Sequence, residues 1–226
     1  MDALQIREKE IFETLRALKG HSFVVIGGYA VNAYTLPRFS VDCDVAVQDK
    51  SKARAVGSFL AERGYSRKEI PKTPSPYANF ERFEKELENH FNVSMDILIG
   101  GVLDRQTGMV FAFDWIFDHS KMRLLKGKTI MEELTIRIID LDALFVMKFI
   151  SARSTDIRDI FMLAPNLKDK KWVQNEISIR CDLRNRFERV KEKVSSKSFK
   201  DGLQGVYGHI DEKVFEKHQQ AVLEMA

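Results

Sequence analysis

Apolar positions recur along this chain with a period near 3.6 at its start, near 2 through its first half, and near 3.6 again beyond residue 140. Residues 3 to 19 put Ile6, Ile11, Phe12, Leu15 and Leu18 roughly on one side of a helix that ends at Gly20. Phe23-Val24-Val25-Ile26 reads as a buried strand broken by Gly27-Gly28, after which Tyr29 to Leu36 has helical spacing up to Pro37. A second apolar run, Val41 to Val47, carries Asp42 and Asp44 at alternate positions. Lys50 to Arg63 predicts a helix stopped by Gly64, and strands are expected at Tyr65 to Ile70, Ala78 to Phe83 and His90 to Ile99. Pro71, Pro74 and Pro76, with Lys72 and Thr73, predict a stiff loop between the first two of these. Asp114 to His119 reads as a short helix, and Lys121 to Leu125 and Leu134 to Ile139 as short strands. From Leu141 onward the spacing is helical, with breaks expected near Pro165 and from Gly202 to Gly208. The order predicts an α+β class, a mixed sheet covered by helices and followed by a helical C-terminal unit.

The alternating aspartates carry the first chemical signal. Side chains two apart on a strand share a face, so Asp42 and Asp44 point the same way, while Cys43 faces the opposite, buried side. Two such carboxylates repel unless a cation lies between them, and hard oxygen donors suit Mg2+ or Mn2+. A solvated strand-end pair is the plainer reading, but Val41 and Val45-Ala46-Val47 surround these residues, and carboxylates in an apolar setting need partners. Glycines at a strand-to-helix turn let backbone N–H groups approach a phosphate. Gly27-Gly28 does not have the Rossmann or P-loop spacing. A phosphate cradle beside a carboxylate pair is what metal-dependent phosphoryl or nucleotidyl transfer requires. Further along, Phe91 to Ile99 alternates so that Asn92, Ser94 and Asp96 share one face and Val93, Met95 and Ile97 the other. Asp96 is then either a third carboxylate of the site or a residue capping the turn at Gly100-Gly101.

A second constellation runs from Asp140 to Ile160. Its apolar positions fit a buried helix with Asp140 as N-cap, then a second helix capped by Ser154 or Thr155. Lys148 lies in the apolar part of the first helix, where a lysine snorkels or pairs. The plain expectation is an ion pair from Lys148 to Asp156 or Asp159 that fixes two helices.

The run Gly27-Gly28, thirteen intervening residues and Asp42-Cys43-Asp44 resembles the signature of the nucleotidyltransferase superfamily. Arg38-Phe39-Ser40-Val41-Asp42-Cys43-Asp44-Val45 is similar to the R-x-T/S-x-D-x-D pattern of its minimal and AbiEii-toxin-like branches. The resemblance implies a nucleotidyltransferase-like α/β domain over residues 1–139, a helical C-terminal domain over 140–226, and transfer of an NMP from an NTP to a hydroxyl acceptor. On it, Asp42, Asp44 and Asp96 are the catalytic and metal-binding carboxylates, with Mg2+ or Mn2+ as cofactor. Gly27, Gly28, Arg38, Ser40 and Lys148 would bind the nucleotide, supported by Arg153, Asp156 and Asp159. The acceptor it implies is RNA or tRNA, a protein or a small molecule such as an aminoglycoside. An AbiEii-like toxin would have an antitoxin partner. The alternative from another class is a non-catalytic nucleotide- or RNA-binding module on the same fold.

Composition narrows the setting. The chain has 226 residues, 44% hydrophobic and 31% charged, as in an ordinary globular protein. No stretch reaches eighteen uninterrupted apolar residues, and MDALQIREKE lacks a basic-then-apolar signal pattern, so a cytoplasmic protein without membrane contact is expected. Two cysteines, Cys43 and Cys181, suggest neither a zinc site nor a disulfide framework. A formal charge of +3 does not by itself indicate nucleic-acid binding. Between Lys168 and Lys200, however, basic residues outnumber acidic ones about two to one, including Arg180, Arg184, Arg186, Arg189, Lys191 and Lys193. They read either as a solvated helix surface paired with Glu188 and Glu192, the favoured reading, or as a stripe that engages RNA phosphates.

Overall fold

The computed structural model describes residues 2–69 and 80–225. The proline loop read from the sequence lies outside them. Helix α1 (Ala3–Ala17) opens with a capping box: Gln5 N–H donates to the Asp2 carboxylate and Asp2 N–H donates to the Gln5 side chain. Its inward stripe is Ile11, Phe12 and Leu15, continued by Leu18 in a closing 3-10 turn. Strand β1 (Val24–Ile26) runs directly into α2 (Gly27–Val31). This helix begins at the glycines and ends five residues short of the expected Leu36, because the Asn32 side chain is committed to the backbone of Arg38. Then come β2 (Asp42–Val47), α3 (Lys50–Glu62) capped by Asp49, β3 (Ser66–Lys68), β4 (Phe80–Glu86) and β5 (Asn92–Ile99). A two-stranded ribbon, β6 (Gly101–Leu103) with β7 (Val110–Ala112), leads to α4 (Phe113–Asp118), β8 (Ser120–Lys126) and β9 (Glu133–Ile139).

Seven strands make one mixed sheet in the order β3-β4-β5-β2-β1-β9-β8, with β2 parallel to β5, β1 parallel to β9, and the other neighbours antiparallel. Its register sorts side chains by face. Cys43, Phe83 and Met95 form one cross-strand row, all buried, and α3 comes so near that a Cβ on Gly57 would be 2.8 Å from the Phe83 ring. Each fully buried side chain of this kind contributes about 1.5–3 kcal/mol.

Contacts divide the chain into two compact units, the first comprising residues 1–33, 37–103 and 110–140, the second residues 34–36, 104–109 and 141–226. The second contains α5 (Leu141–Ser151), α6 (Ser154–Leu163), α7 (Lys170–Ser178), α8 (Leu183–Val194), α9 (Lys197–Tyr207) and α10 (Glu212–Leu223). Helix α5 is apolar nearly all round because it is buried nearly all round. Phe161 of α6 gathers Phe199, Phe215 and His218 at ring-centroid distances of 5.2, 5.1 and 5.3 Å. Two local expectations are corrected. The N-cap of α6 is Arg153, not Ser154 or Thr155, because Asp156 reaches back to accept from the Arg153 N–H. Gly202 lies inside α9, which runs on to Gly208, where φ is +81°.

Candidate active site

Strand β2 leaves Asp42 and Asp44 on one face of the sheet and buries Cys43 on the other. Strand pairing extends that face sideways. On β5, Ser94 is opposite Asp42 and Asp96 opposite Asp44; on β4, Glu84 is opposite Ser94 and Arg82 opposite Asp96. Directly paired residues share a face, so three separate segments become two adjoining polar rows. Burial, and then the nearby Asp44, Asp96 and Asp42 carboxylates, push the Cys43 thiol well up, which suits a packing role.

Arg82 ties these rows together. Its Nε donates to Asp96 Oδ1 at 2.8 Å and its Nη2 to Asp96 Oδ2 at 2.7 Å, a bidentate pair. Nη2 is also 3.3 Å from Asp42 Oδ2, while the Ser94 hydroxyl donates to Asp42 Oδ1. Hydrogen bonding to Asp96, working against burial and helped by the charges of Asp96 and Asp42, raises the Arg82 pKa further. No sequence motif marks Arg82. Its only sequence signal was a basic residue in an alternating run, and pairing across β4 and β5 gives it a role.

The glycine turn closes on the same face. Ile26 is opposite Asp44 in the β1–β2 ladder, so Gly27 emerges beside that aspartate with φ +65°. A Cβ on Gly27 would lie 2.0 Å from Asp44 Oδ2, and one on Gly28 would lie 2.2 Å from Ser40 Oγ and 3.3 Å from Arg38 Nη2. Both glycines are required for close approach. The segment that delivers Arg38 and Ser40 is pinned by Asn32, which is 1% exposed: its amide donates to Arg38 O at 2.9 Å, and Arg38 N–H donates to its Oδ1 at 3.0 Å. Arg38 is itself buried, and its Nη1 donates to Phe39 O at 2.9 Å. Asn32 is a second positioning residue that no motif announced. Gly27, Gly28, Arg38, Ser40, Asp42, Asp44 and Asp96 thus all belong to one region of the first unit.

Lys148 and its partners form a cluster in the second unit. The Lys148 ammonium lies 2.8 Å from Asp156 Oδ1 and 3.0 Å from Asp159 Oδ2, and both carboxylates are fully buried. Arg153, more than half exposed, adds a 2.6 Å contact from Nε to Asp156 Oδ2. Burial works against the charge on Lys148, but Asp159 and then Asp156 outweigh it and the lysine pKa rises. Burial likewise opposes the charge on Asp156, and Lys148 with Arg153 nevertheless lowers its pKa. This is the helix-fixing ion pair expected from the sequence, with both candidate acids engaged. In the basic stretch, Lys191 pairs with Glu188 at 3.7 Å as on a solvated helix surface, whereas Arg180 pairs with Glu176 at 2.6 Å with both side chains largely buried.

The fold is shared with two solved structures whose names describe them as nucleotidyltransferases. A candidate nucleotidyltransferase from H. pylori is similar over 100% of this chain and 95% of its own, with 15% identity and a TM-score of 0.51. The nucleotidyltransferase toxin MenT4 from Mycobacterium tuberculosis is similar over 97% of this chain and 82% of its own, with 12% identity and a TM-score of 0.59. No protein-family model and no curated protein matches the chain.

The carboxylate face fits a hard divalent cation by donor type, and a guanidinium already bridging Asp42 and Asp96 demonstrates that this corner accepts positive charge. Among the described residues no three His, Cys, Asp or Glu side chains are gathered tightly enough to hold a metal. No helix among them is long and apolar enough to cross a membrane.

Proposed function

We propose that this chain is a metal-dependent nucleotidyltransferase that moves a nucleoside monophosphate from an NTP to a hydroxyl acceptor. The observation that carries this reading is the closure of Gly27 and Gly28 against Asp44 and Ser40, with Arg38 alongside. The acceptor hydroxyl gives up its proton to solvent water as its oxygen bonds to the α-phosphorus, the α–β anhydride bond breaks, and its electron pair leaves with pyrophosphate. Asp42 and Asp44 would hold Mg2+ or Mn2+, which when bound neutralises phosphate charge. The Ser40 hydroxyl would donate to a phosphate oxygen, and Arg38 would offset charge developing on the leaving group. Asp96, both of whose oxygens are held by Arg82, serves through that guanidinium rather than as the base.

Likeness in fold to a nucleotidyltransferase toxin supports a toxin role with an antitoxin partner; the AbiEii-like subtype and a cytoplasmic acceptor such as tRNA or a protein are proposed on the R-x-S-x-D-x-D run from Arg38 to Asp44. The test is transfer of α-phosphate label and release of pyrophosphate from each of the four NTPs with Mg2+ or Mn2+. Acceptors offered are total tRNA, protein extract and aminoglycosides. Transfer is expected, and loss of it below detection in Asp42→Asn/Asp44→Asn. A second reading, a non-catalytic nucleotide- or RNA-binding module, is favoured by the engagement of Asp42 and Asp96 with Arg82. NTP affinity without pyrophosphate release would select it.

A further inference from the structure

We propose that Arg82 guards the carboxylate site: a divalent cation takes up Asp42 by displacing the Arg82 guanidinium, and Asp96 is the anchor that retains that guanidinium rather than a ligand of the ion. The proposal rests on the divalent-cation reading of Asp42 and Asp44. Both oxygens of Asp42 are already engaged, Oδ1 by the Ser94 hydroxyl and Oδ2 by Arg82 Nη2 at 3.3 Å. The hold on Asp96 is the firmer one, two hydrogen bonds of 2.8 and 2.7 Å to a side chain only 10% exposed. The long contact to Asp42 is the one that yields. Arg82 and Asp42 are each about one-third exposed, so an ion reaches this side of the pair from solvent.

Glu84, two residues along β4 on the same face, also attracts the guanidinium but is 3.5 Å from Lys68, and Asp96 with its two hydrogen bonds is the stronger hold. Released from Asp42, the guanidinium remains on Asp96, one strand away, and restores the contact when the ion departs. A cation and a guanidinium that share one carboxylate exclude each other both by contact and by like charge. The same arrangement explains why Asp96 is paired in register with Asp44 yet turned to Arg82: the carboxylate orients the guard.

The test is Mn2+ binding to the full-length, nucleotide-free chain at fixed ionic strength, read from the electron paramagnetic resonance of free Mn2+. Arg82→Gln removes the guard, and about tenfold tighter binding than wild type is expected from loss of one nearby like charge. Arg82→Lys keeps the charge and should stay close to wild type. Arg82→Gln/Asp96→Asn is the decisive variant, since its neutral pair can hydrogen-bond and preserve the fold. It should still bind Mn2+ more tightly than wild type although a carboxylate has been lost. Equal or weaker binding by the double variant, with wild-type binding intact and abolished in Asp42→Asn/Asp44→Asn, overturns the guard while leaving the metal reading standing. Absence of Mn2+ binding in every variant, with or without a non-hydrolysable NTP, overturns both.

Discussion

Gly27 occupies a position where no side chain fits. Its φ of +65° disfavours any L residue, and a Cβ would meet the Asp44 carboxylate at 2.0 Å. Gly27→Ala must therefore move either the turn or the aspartate. The expected result is a loss of transfer activity of about 100-fold or more, with about 1–3 kcal/mol of lost stability from the strained backbone. Gly205 provides the control, because it lies inside α9 with nothing within 4 Å of an added Cβ. Gly205→Ala should raise stability by up to about 1 kcal/mol and leave transfer unchanged. Parallel denaturant titrations and label-transfer assays check both; a Gly27→Ala protein with wild-type turnover would refute the close-approach argument. The pair also marks what single residues reveal in a sequence. Gly27-Gly28 and the alternating Asp42 and Asp44 were legible because spacing alone signals them. Arg82 and Asn32 were not, because each acquires its role from a partner fourteen or six residues away that only the folded backbone brings opposite.

Elements behaved as their periods dictate where they are long enough to have one. The alternation of β2 and β5 fixed which carboxylates share a face, and in the stripe expected of the first helix Ile11, Phe12, Leu15 and Leu18 are buried while Ile6 is half-buried. The ribbon of β6 and β7 escaped notice because three residues per strand carry no readable alternation. Another element-level feature hidden in sequence is Glu8, an acidic residue of α1 that is 2% exposed. Its carboxylate accepts from the N–H groups of Lys128, Thr129 and Ile130 at 2.6, 2.7 and 3.3 Å, and from the Thr129 hydroxyl at 2.7 Å. One side chain on the first helix thus satisfies the β8–β9 connection more than a hundred residues later. Glu8→Ala would orphan those donors at a cost of about 2–4 kcal/mol, whereas Glu8→Gln keeps an acceptor and should lose less. Amide hydrogen exchange at 128–130 should accelerate in Glu8→Ala more than in α3. Unchanged protection there would mean the loop is held by something else.

For the whole molecule, the change from period 2 to period 3.6 near residue 140 was legible. The joining of 34–36 and 104–109 to the helical unit was not, since it depends on contacts such as Ser151 Oγ to Asp104 Oδ1 at 3.0 Å. The Lys148 cluster sets how that unit responds to pH. Asp156 has a folded pKa below its ordinary 3.8, so its stabilisation is complete above that value and is lost as pH falls through the lower folded one. Lys148 has a folded pKa above its ordinary 10.5, so its stabilisation is complete below 10.5 and is lost at higher pH. Buried Tyr29, raised well above 10.0, steepens the alkaline decline, because the unfolded chain releases that proton first. The acid limb is therefore the cleaner probe of the cluster. Asp156→Asn should flatten it. Lys148→Met should reverse it: two fully buried carboxylates would face each other without their shared ammonium, costing about 3–5 kcal/mol at neutral pH. Protonating one of them relieves that repulsion, so relative to the wild type the variant should gain stability as pH is lowered from 7 toward 5, an interval in which both lose some because burial holds the His218 pKa below its ordinary 6.5. Urea titrations at half-unit pH intervals measure the two slopes. A Lys148→Met protein whose stability runs parallel to the wild type over that interval would mean that the buried acids do not depend on this lysine for their charge.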